Sequence, residues 1–371
     1  MKMTSDVTDS YAWTEYQDQD SSTPRAILHL DMDAFFVNVH ILENPEDANI
    51  PLAVGGRPDQ RGVIASASYE AREFGVRSAM PSSRAMRLCP QLKIVGHTWN
   101  GIRRYSKQVM EILAEYGPVE KMSVDEAYVD LSHNPDPVPV AGAIRTRVQD
   151  ETGLPASVGL ATSKLVAKIA SDHEKPEGCT IVQPGDEASF LKDLSVRVIW
   201  GIGPRTAERL AELDIKTCGQ LAAAKETELE EVFGRHAASL KQRAKGIDSR
   251  PVNPERGPPK SISNEWTFNQ DIREIEVLLA KLENMCESIG ASLRQQELLA
   301  QTVFVKFRWA DFTTFTRQRT RFVPFDSDEE IFQLAREILI DNWSEDLPMR
   351  LLGVGIRKLK EPDIKQLTLG I

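Results

Sequence analysis

The sequence predicts a protein of several α+β domains, and three observations support this prediction. Short apolar runs alternate with amphipathic stretches in an order typical of an antiparallel sheet covered by helices on one face. A hairpin is predicted at 51–66. A wholly helical segment follows at 188–250, and a second mixed unit, in the order strand, helix, hairpin, helix and strand, spans 261–360. Between them, residues 251–260 carry four prolines, which predicts a semi-rigid linker. A chain of 371 residues is too long for one ordinary core, so two to four domains are expected.

The composition indicates a soluble globular protein, with 41% hydrophobic and 27% charged residues. No apolar run approaches the roughly 20 residues of a membrane helix, so no membrane span is expected. Residues 1–24 are polar and acidic, which predicts a disordered tail rather than a signal peptide. The cysteines lie far apart in the chain, which favours reduced thiols in the cytoplasm over a zinc site. They are Cys89, Cys179, Cys218 and Cys286.

The net charge of −10 argues against a uniformly basic nucleic-acid-binding protein. Binding depends on where the charges lie, however, and the last unit carries two alternating sets of cations. Lys306 and Arg308 alternate along one predicted strand, and Arg317, Arg319 and Arg321 alternate along the next. Because alternate residues of a strand share a face, we expect the five cations to form one surface that follows phosphates.

Two groups of carboxylates end predicted strands. Asp31 and Asp33 follow a buried apolar strand, and Asp125 and Glu126 lie at the bend of a predicted hairpin at 119–131. One acidic residue at the end of a strand is common, because the chain leaves the core there and meets water. Two such strand ends in one small sheet predict a functional site. Carboxylates without His or Cys ligands suit magnesium, and grouped carboxylates repel one another until a cation binds.

Two magnesium ions could clamp the attacking and leaving oxygens of a phosphoryl transfer. Asp31 and Asp125 would bridge the ions, and Glu126 would complete the ion that activates a 3′-hydroxyl. From these residues alone, a polymerase, a nucleotide cyclase and a nuclease all remain open.

A glycine pair opens a predicted helix in the helical segment. Gly201 and Gly203 flank an isoleucine just before Pro204, and Pro204 suits a first helical turn. Glycine lets backbone amides approach a phosphate. The pattern resembles a helix–hairpin–helix, which grips the duplex backbone without reading sequence. The alternative is a plain helix–helix turn.

Four motifs appear in order along the chain. They are Asp-Met-Asp-Ala-Phe-Phe at 31–36, Ala-Ser-Tyr-Glu-Ala-Arg at 67–72, Ser-Val-Asp-Glu-Ala-Tyr at 123–128, and Lys-Ile-Ala-Ser-Asp-His-Glu-Lys-Pro at 168–176. Together they resemble the Y-family translesion DNA polymerases, specifically the bacterial DNA polymerase IV branch. The resemblance extends from Ile27 to the C-terminus. One of these motifs would be a weak signal, whereas four at the family's spacing are specific.

The resemblance implies a right-hand polymerase with a palm, small fingers, a helical thumb and a C-terminal little-finger domain. The implied bounds are 25–34 and 99–182 for the palm, 35–98 for the fingers, 183–250 for the thumb, 261–360 for the little finger, and 361–371 for a tail.

The resemblance also implies template-directed DNA synthesis past damaged bases, without proofreading. Asp31, Asp125 and Glu126 would hold two magnesium ions with the Met32 carbonyl as a further ligand, and Asp33 would have a structural role. The implied nucleotide-binding residues are Phe35, Phe36, Ser66, Tyr69, Arg72 and Lys175. A guanidinium, an ammonium and two hydroxyls can neutralise and orient a triphosphate. In the family the ring at Phe36 is a steric gate that collides with a 2′-hydroxyl.

The implied partners are primer-template DNA, deoxynucleoside triphosphates and a sliding clamp. The last six residues resemble a clamp-binding peptide in which Gln366, Leu367 and Leu369 fill a pocket. A monomer in the bacterial cytoplasm, associated with the nucleoid, is expected. Two rivals remain: a catalytically inactive scaffold for DNA repair, which typically lacks the acids present here, and a palm-type nucleotide cyclase, which would act without DNA.

Overall fold

Three β-sheets organise the residues that the computed structural model describes, namely Trp13, 24–255 and 257–362. The chain divides into two units. The first comprises Met1–Gly56, Ile64–Met80 and Arg84–Arg256, and the second comprises Arg57–Val63, Pro81–Ser83 and Gly257–Ile371. None of the helices in the described ranges has the length and apolar character needed to cross a membrane.

Eight strands lie in the described part of the chain before residue 255. They are β1 (Ile27–Met32), β2 (Leu52–Gly55), β3 (Ile64–Ala67), β4 (Lys93–Val95), β5 (Val119–Lys121), β6 (Glu126–Asp130), β7 (Ala156–Ala161) and β8 (Cys179–Ile181). The α-helices of the same stretch are α1 (Phe35–Glu43), α2 (Tyr69–Glu73), α3 (Ser82–Leu88), α4 (Trp99–Ala114), α5 (Pro137–Thr152), α6 (Lys164–His173), α7 (Glu187–Leu191), α8 (Pro204–Ala211), α9 (Cys218–Ala223), α10 (Glu226–Phe233) and α11 (Ala237–Ala244).

The central sheet of the first unit has the strand order β5-β6-β1-β7-β8. Strand β1 runs antiparallel to both β6 and β7, while β8 pairs in parallel with β7. On one face, Leu28 and Leu30 pack with residues of α4 and α5. On the other face, Ile27 packs with α6 and with the helices that follow. The expectation of a sheet covered on one face is therefore wrong, and coverage on both faces explains why β1 is almost wholly buried.

Helix α6 lies against β7 at Gly159. A Cβ atom built on Gly159 would lie 2.2 Å from the carbonyl oxygen of Ala167 and 2.3 Å from the amide nitrogen of Ser171. No side chain fits in that gap, so glycine is required for the close approach of helix and strand. The approach determines where Lys168 meets the end of the sheet.

A smaller sheet with the order β3-β2-β4 follows the first strand and helix. Strands β2 and β3 are antiparallel, which confirms the predicted hairpin, and β4 joins β2 in parallel. The stretch predicted to be helical at 188–250 contains α8 to α11, whose apolar side chains continue the cluster that covers α6.

Trp13 is buried in the core beneath α4 and α5, at 3% exposure. The prediction of a disordered tail over 1–24 does not hold at this residue. The other residues before Pro24 lie outside the described ranges.

The second unit contains β9 (Ser261–Ile272), α12 (Ile275–Gln295), β10 (Ala300–Trp309), β11 (Thr314–Phe325), α13 (Asp328–Asn342) and β12 (Met349–Arg357). This order of strand, helix, hairpin, helix and strand is the predicted one. The antiparallel sheet has the order β11-β10-β12-β9, and α12 and α13 supply the apolar side chains that cover one face.

Candidate active site

The two groups of predicted carboxylates meet at one end of the central sheet. Asp31 lies directly opposite Glu126 in the β1–β6 register, and the amide of Met32 donates to the carbonyl of Asp125 at 3.0 Å. Cross-strand partners share a face, so the side chains of Asp31 and Glu126 point to the same side of the sheet. The Met32 side chain is buried, so only its backbone is available at this site.

Ser123 shapes the turn that carries the second acidic pair. Its hydroxyl oxygen accepts from the amides of Asp125 at 3.1 Å and Glu126 at 3.0 Å, and its hydroxyl donates to the Asp125 carboxylate. Sequence analysis missed this role. A serine two residues before an aspartate at a predicted bend is a local signal that could have identified it.

Asp31 and Glu126 each form an ion pair with a lysine. Lys175 Nζ lies 2.7 Å from Asp31 Oδ1, and Lys168 Nζ lies 2.6 Å from Glu126 Oε2. Lys175 also contacts Asp172 at 3.1 Å. Within the ranges that the structure covers, no group of three or more His, Cys, Asp or Glu residues has the arrangement of a ready-made metal site. The donors nevertheless suit a hard cation, because they are carboxylate oxygens whose charge the two lysine ammonium groups balance in this structure.

The pKa values of Asp31 and Glu126, which lie opposite each other, are shifted in opposite directions. Burial raises the pKa of Asp31 to about 6, although Lys175 acts in the other direction. His29 and Lys168 lower the pKa of Glu126 to about 2. His29 Nε2 is 3.7 Å from Glu126, and burial lowers the pKa of His29, which is therefore neutral at pH 7. Lys168 is thus the charged partner of Glu126 at neutral pH.

Asp33 has different surroundings from Asp31. It is 1% exposed, and its carboxylate accepts from the hydroxyl of Ser157 at 2.9 Å, the amide of Glu177 at 2.8 Å and the hydroxyl of Tyr69 at 3.2 Å. A carboxylate with these donors is held in place and is not free to bind a cation. This geometry agrees with a structural role for Asp33.

Tyr69 and Arg72 lie one turn apart on α2. The Arg72 guanidinium stacks 4.4 Å from the centre of the Tyr69 ring, and its Nε donates to the carbonyl of Ala67 at 3.1 Å. Burial and the Asp33 charge raise the pKa of Tyr69 to about 12, so its hydroxyl keeps its proton. Ser66 lies on the neighbouring strand β3 and is largely buried.

Phe35 and Phe36 differ in position although they are adjacent. The Phe35 ring is 2% exposed inside the core under the central sheet. Any nucleotide contact by Phe35 must therefore come from its backbone and not from its ring. Phe36 is only partly buried and touches two apolar clusters as well as the rings of His97 and Trp99, which sequence analysis did not identify.

The glycine pair lies at the predicted helix start. Helix α8 begins at Pro204, directly after Gly203, and Gly201 has a φ of +97°. Only glycine adopts that conformation readily. The loop also borders a cavity of about 810 Å³ whose lining includes Glu126, Lys168, Trp200 and Gly201. The acidic end of the sheet thus opens onto space that continues to the glycine loop.

The prediction that five cations share one face of the last sheet is wrong. Arg317 lies opposite Val305 and Arg319 opposite Val303, and both valines are buried against the helices. Lys306 and Arg308 lie opposite Thr316 and Thr314 instead. Partners across a strand pair share a face, so the arginines of β11 and the cations of β10 point to opposite sides.

Two arginines of β11, Arg319 and Arg321, have acidic partners on α13. Arg319 contacts Glu337 at 2.8 Å and Asp341 at 2.5 Å, and Arg321 contacts Glu330 at 3.1 Å. Alternate residues share a face within each strand, as predicted. The spacing of residues in the sequence does not show, however, how β10 and β11 align with each other. The predicted clamp-binding residues Gln366, Leu367 and Leu369 lie outside the described ranges.

Comparisons with known proteins agree with this geometry. The model of the impB/mucB/samB family matches residues 30–172, that of the family's C-terminal domain matches 259–369, and that of the IMS family HHH motif matches 184–215. A DNA polymerase IV of Dehalococcoides mccartyi (strain CBDB1) is 42% identical over 351 residues, which are 93% of this chain and 90% of the relative. A DNA polymerase IV of Halorhodospira halophila is 38% identical over 349 residues, which are 93% of this chain and 98% of the relative.

A solved structure is also similar. A Y-family DNA polymerase chimera has a TM-score of 0.81 and 25% sequence identity, with 91% of this chain and all of the chimera covered (100%). The fold and the sequence of both units therefore point to the same group of proteins.

Proposed function

Because the chain belongs to the impB/mucB/samB family of Y-family DNA polymerases, we propose that it copies damaged template DNA with two magnesium ions held by Asp31, Asp125 and Glu126. The chain is a DNA-directed DNA polymerase, and its relatives support a role in translesion synthesis. The observation that carries the metal assignment is the meeting of Asp31, Asp125 and Glu126 at one sheet end.

When bound, magnesium supplies positive charge at the attacking and leaving oxygens of the transfer. Asp31, Asp125, Glu126 and the Met32 carbonyl would hold the ions. Lys175, which neutralises Asp31 in this structure, would supply an ammonium group to the triphosphate. Ser123 holds Asp125 in the required orientation through its hydroxyl.

Ser66, Tyr69, Arg72 and Lys175 hold the incoming triphosphate. Arg72 supplies a charged, forked donor, and the Tyr69 hydroxyl keeps its proton as a donor. Phe36 excludes ribonucleotides by collision with the 2′-hydroxyl. We propose that the polymerase lacks proofreading, so its fidelity depends on this pocket alone.

The glycine loop at Gly201 and Gly203 grips duplex phosphates through backbone amides, and the cavity beside Glu126 leaves room for nucleic acid next to the acids. Arg308 and Lys306, which is paired with Glu265 at 2.8 Å, would supply cations to the phosphates from the other face of the last sheet. The peptide with Gln366, Leu367 and Leu369 docks on a sliding clamp, and the polymerase works as a monomer at the nucleoid of the bacterial cytoplasm.

The test is extension of a labelled primer on a DNA template with magnesium. Wild type should extend in a template-directed manner, and Asp125→Ala-Glu126→Ala should lose extension while it still binds primer-template. The matched control is Glu230→Ala-Glu231→Ala, which removes two exposed acids of α10 and should leave extension intact. A wild type that binds DNA without extending it would favour the scaffold, and turnover of triphosphate without DNA would favour the cyclase.

A further inference from the structure

The ring of Phe36 has two aromatic neighbours that the proposed mechanism does not use. The ring centres of Phe36 and His97 are 5.6 Å apart, and those of Phe36 and Trp99 are 6.1 Å apart. Both contacts are edge-to-face, at 83° and 79°. His97 and Trp99 contact each other as well, at 5.0 Å and 85°. The rings therefore form a closed group of three, in the arrangement that aromatic rings prefer.

Trp99 is half exposed, at 50%, and His97 is also exposed. Neither belongs to a buried core cluster, so neither is needed to fill the interior. Trp99 is the first residue of α4, and the guanidinium of Arg103, one turn later, lies 5.9 Å from its ring. Trp99 is therefore a large aromatic side chain at the surface that packs against the more buried ring of Phe36. In this position it can hold the Phe36 ring in place.

The other sides of Phe36 are already defined by the interior. The buried ring of Phe35 lies 5.8 Å away, and the cluster of Ala34, Val37, Leu52 and Val54 packs against Phe36 as well. His97 and Trp99 are thus the exposed part of the ring's surroundings. Without them, the exposed side of the Phe36 ring would have no aromatic neighbour to restrict its movement toward solvent.

We infer that Trp99, assisted by His97, positions the Phe36 ring and thereby sets how strongly the polymerase rejects ribonucleotides. The inference rests on the proposed gate role of Phe36. A steric gate discriminates only as well as its ring resists displacement, because a ring that swings away yields to a 2′-hydroxyl at small cost. Trp99 and His97 are positioning residues and make no contact with the reacting atoms.

The experiment compares kcat/KM for a deoxynucleotide and the matching ribonucleotide in single-nucleotide insertion. Trp99→Ala should lower the preference for deoxynucleotide by about tenfold, the size of change that a poorly fitting pocket produces. Trp99→Phe should keep most of the preference, because a smaller ring still supports Phe36. His97→Ala should shift the preference in the same direction by less. The control is Trp266→Ala, which removes a similarly exposed tryptophan (47%) of the second unit and should leave the preference unchanged.

The double variant Phe36→Ala-Trp99→Ala separates positioning from direct contact with the sugar. If Trp99 acts through Phe36, the double variant will have the same preference as Phe36→Ala alone. A further loss in the double variant would overturn the inference, since Trp99 would then act independently of the ring.

The results that would contradict the positioning role of Trp99 differ from those that would contradict the gate role of Phe36. A preference lost in Phe36→Ala but unchanged in Trp99→Ala and His97→Ala overturns the positioning role and leaves the gate in place. A preference unchanged in Phe36→Ala as well removes the gate assignment, and the positioning role with it. Primer extension with deoxynucleotides by Trp99→Ala, His97→Ala and Trp266→Ala keeps the polymerase assignment separate from either result.

Discussion

Asp31 and Asp33 show how two acids two residues apart acquire different roles. Asp31 lies near the end of a strand, and its carboxylate is paired with Lys175, whereas the Asp33 carboxylate accepts from three donors. A buried carboxylate is tolerated when its lone pairs are satisfied in this way. The difference arises from Ser157, Tyr69 and Glu177, which come from distant parts of the chain.

Ser123→Ala should slow nucleotide insertion by about tenfold or more, because small misplacements of reacting groups are costly. The substitution leaves Asp125 and Glu126 in the chain but removes the hydroxyl that bonds to their amides and to Asp125. Single-turnover insertion with bound primer-template measures the effect. Ser189→Ala on α7 is the control, and an unchanged rate in Ser123→Ala would show that the turn holds its shape without the hydroxyl.

Asp47 should make the stability of the protein depend on pH. It is 4% exposed and contacts Lys93 at 2.5 Å and His40 at 2.8 Å, which together lower its pKa below the ordinary value of 3.8. A lowered carboxyl pKa adds stability at pH values above 3.8, and that stability is lost as the pH falls through the lowered pKa. Urea unfolding should therefore show Asp47→Asn less stable than wild type at pH 7, with a smaller difference near pH 3. A difference that stays constant with pH would assign the effect to packing rather than to charge.

At the scale of elements, the close contact between α6 and β7 places two lysines beside the acids Asp31 and Glu126. Lys168 lies on α6, and Lys175 follows its end, so both depend on how near the helix lies to the sheet. Gly159 permits that distance because it has no side chain. One residue of a strand thus determines the position of charges on a neighbouring helix.

Gly159→Ala should impair folding or activity strongly, since its Cβ would overlap the backbone of α6 and backbone cannot move aside as a flexible side chain can. We expect a loss of about 1–3 kcal/mol in the free energy of unfolding, the usual cost of overpacking. Gly142→Ala on α5, where a Cβ meets nothing within 4 Å, is the control. Urea unfolding of both variants provides the measurement, and equal stabilities would mean that α6 can shift.

The register of β10 and β11 places Lys306 and Arg308 on the opposite face of the sheet from Arg317 and Arg319. Lys306→Ala-Arg308→Ala should weaken DNA binding and reduce the slope of log affinity against log salt by about 2, one for each lost phosphate contact. Arg317→Ala-Arg319→Ala should leave that slope unchanged, because these residues lie on the helix-covered side. Titration of labelled primer-template at several salt concentrations distinguishes them, and equal effects of the two pairs would contradict the assignment of faces.

For the whole molecule, an acidic chain and a DNA-binding function are compatible. The net charge is −10, yet Lys306 and Arg308 share one sheet face, and the Gly201 loop presents backbone rather than charged side chains. Local charge governs contact with phosphate, while net charge governs solubility and long-range repulsion.

Deletion of residues 366–371 should leave primer extension intact and abolish its stimulation by the sliding clamp. The peptide is distant in sequence from the motifs at 31–36 and 123–128, so its removal leaves the proposed chemistry untouched. Extension with and without clamp on a long template measures the change, and Lys358→Ala is a control outside the peptide. A truncated protein that still responds to clamp would rule out this peptide as the docking site.

The sequence alone determined the family, the α+β class, the order of elements in the last unit and the candidate acids. These depend on local patterns, because apolar periodicity, turn residues and short motifs are properties of neighbouring positions. The start of α8 at Pro204 and the β2–β3 hairpin were predictable for the same reason.

The tertiary structure decided what depends on residues far apart in the chain. The register between β10 and β11 placed Arg317 and Arg319 beside buried valines, and the packing of α6 put Lys168 on Glu126. The group of Phe36, His97 and Trp99 likewise joins two segments some sixty residues apart. A one-residue change of register reverses every side chain of a strand, and no local pattern carries that information.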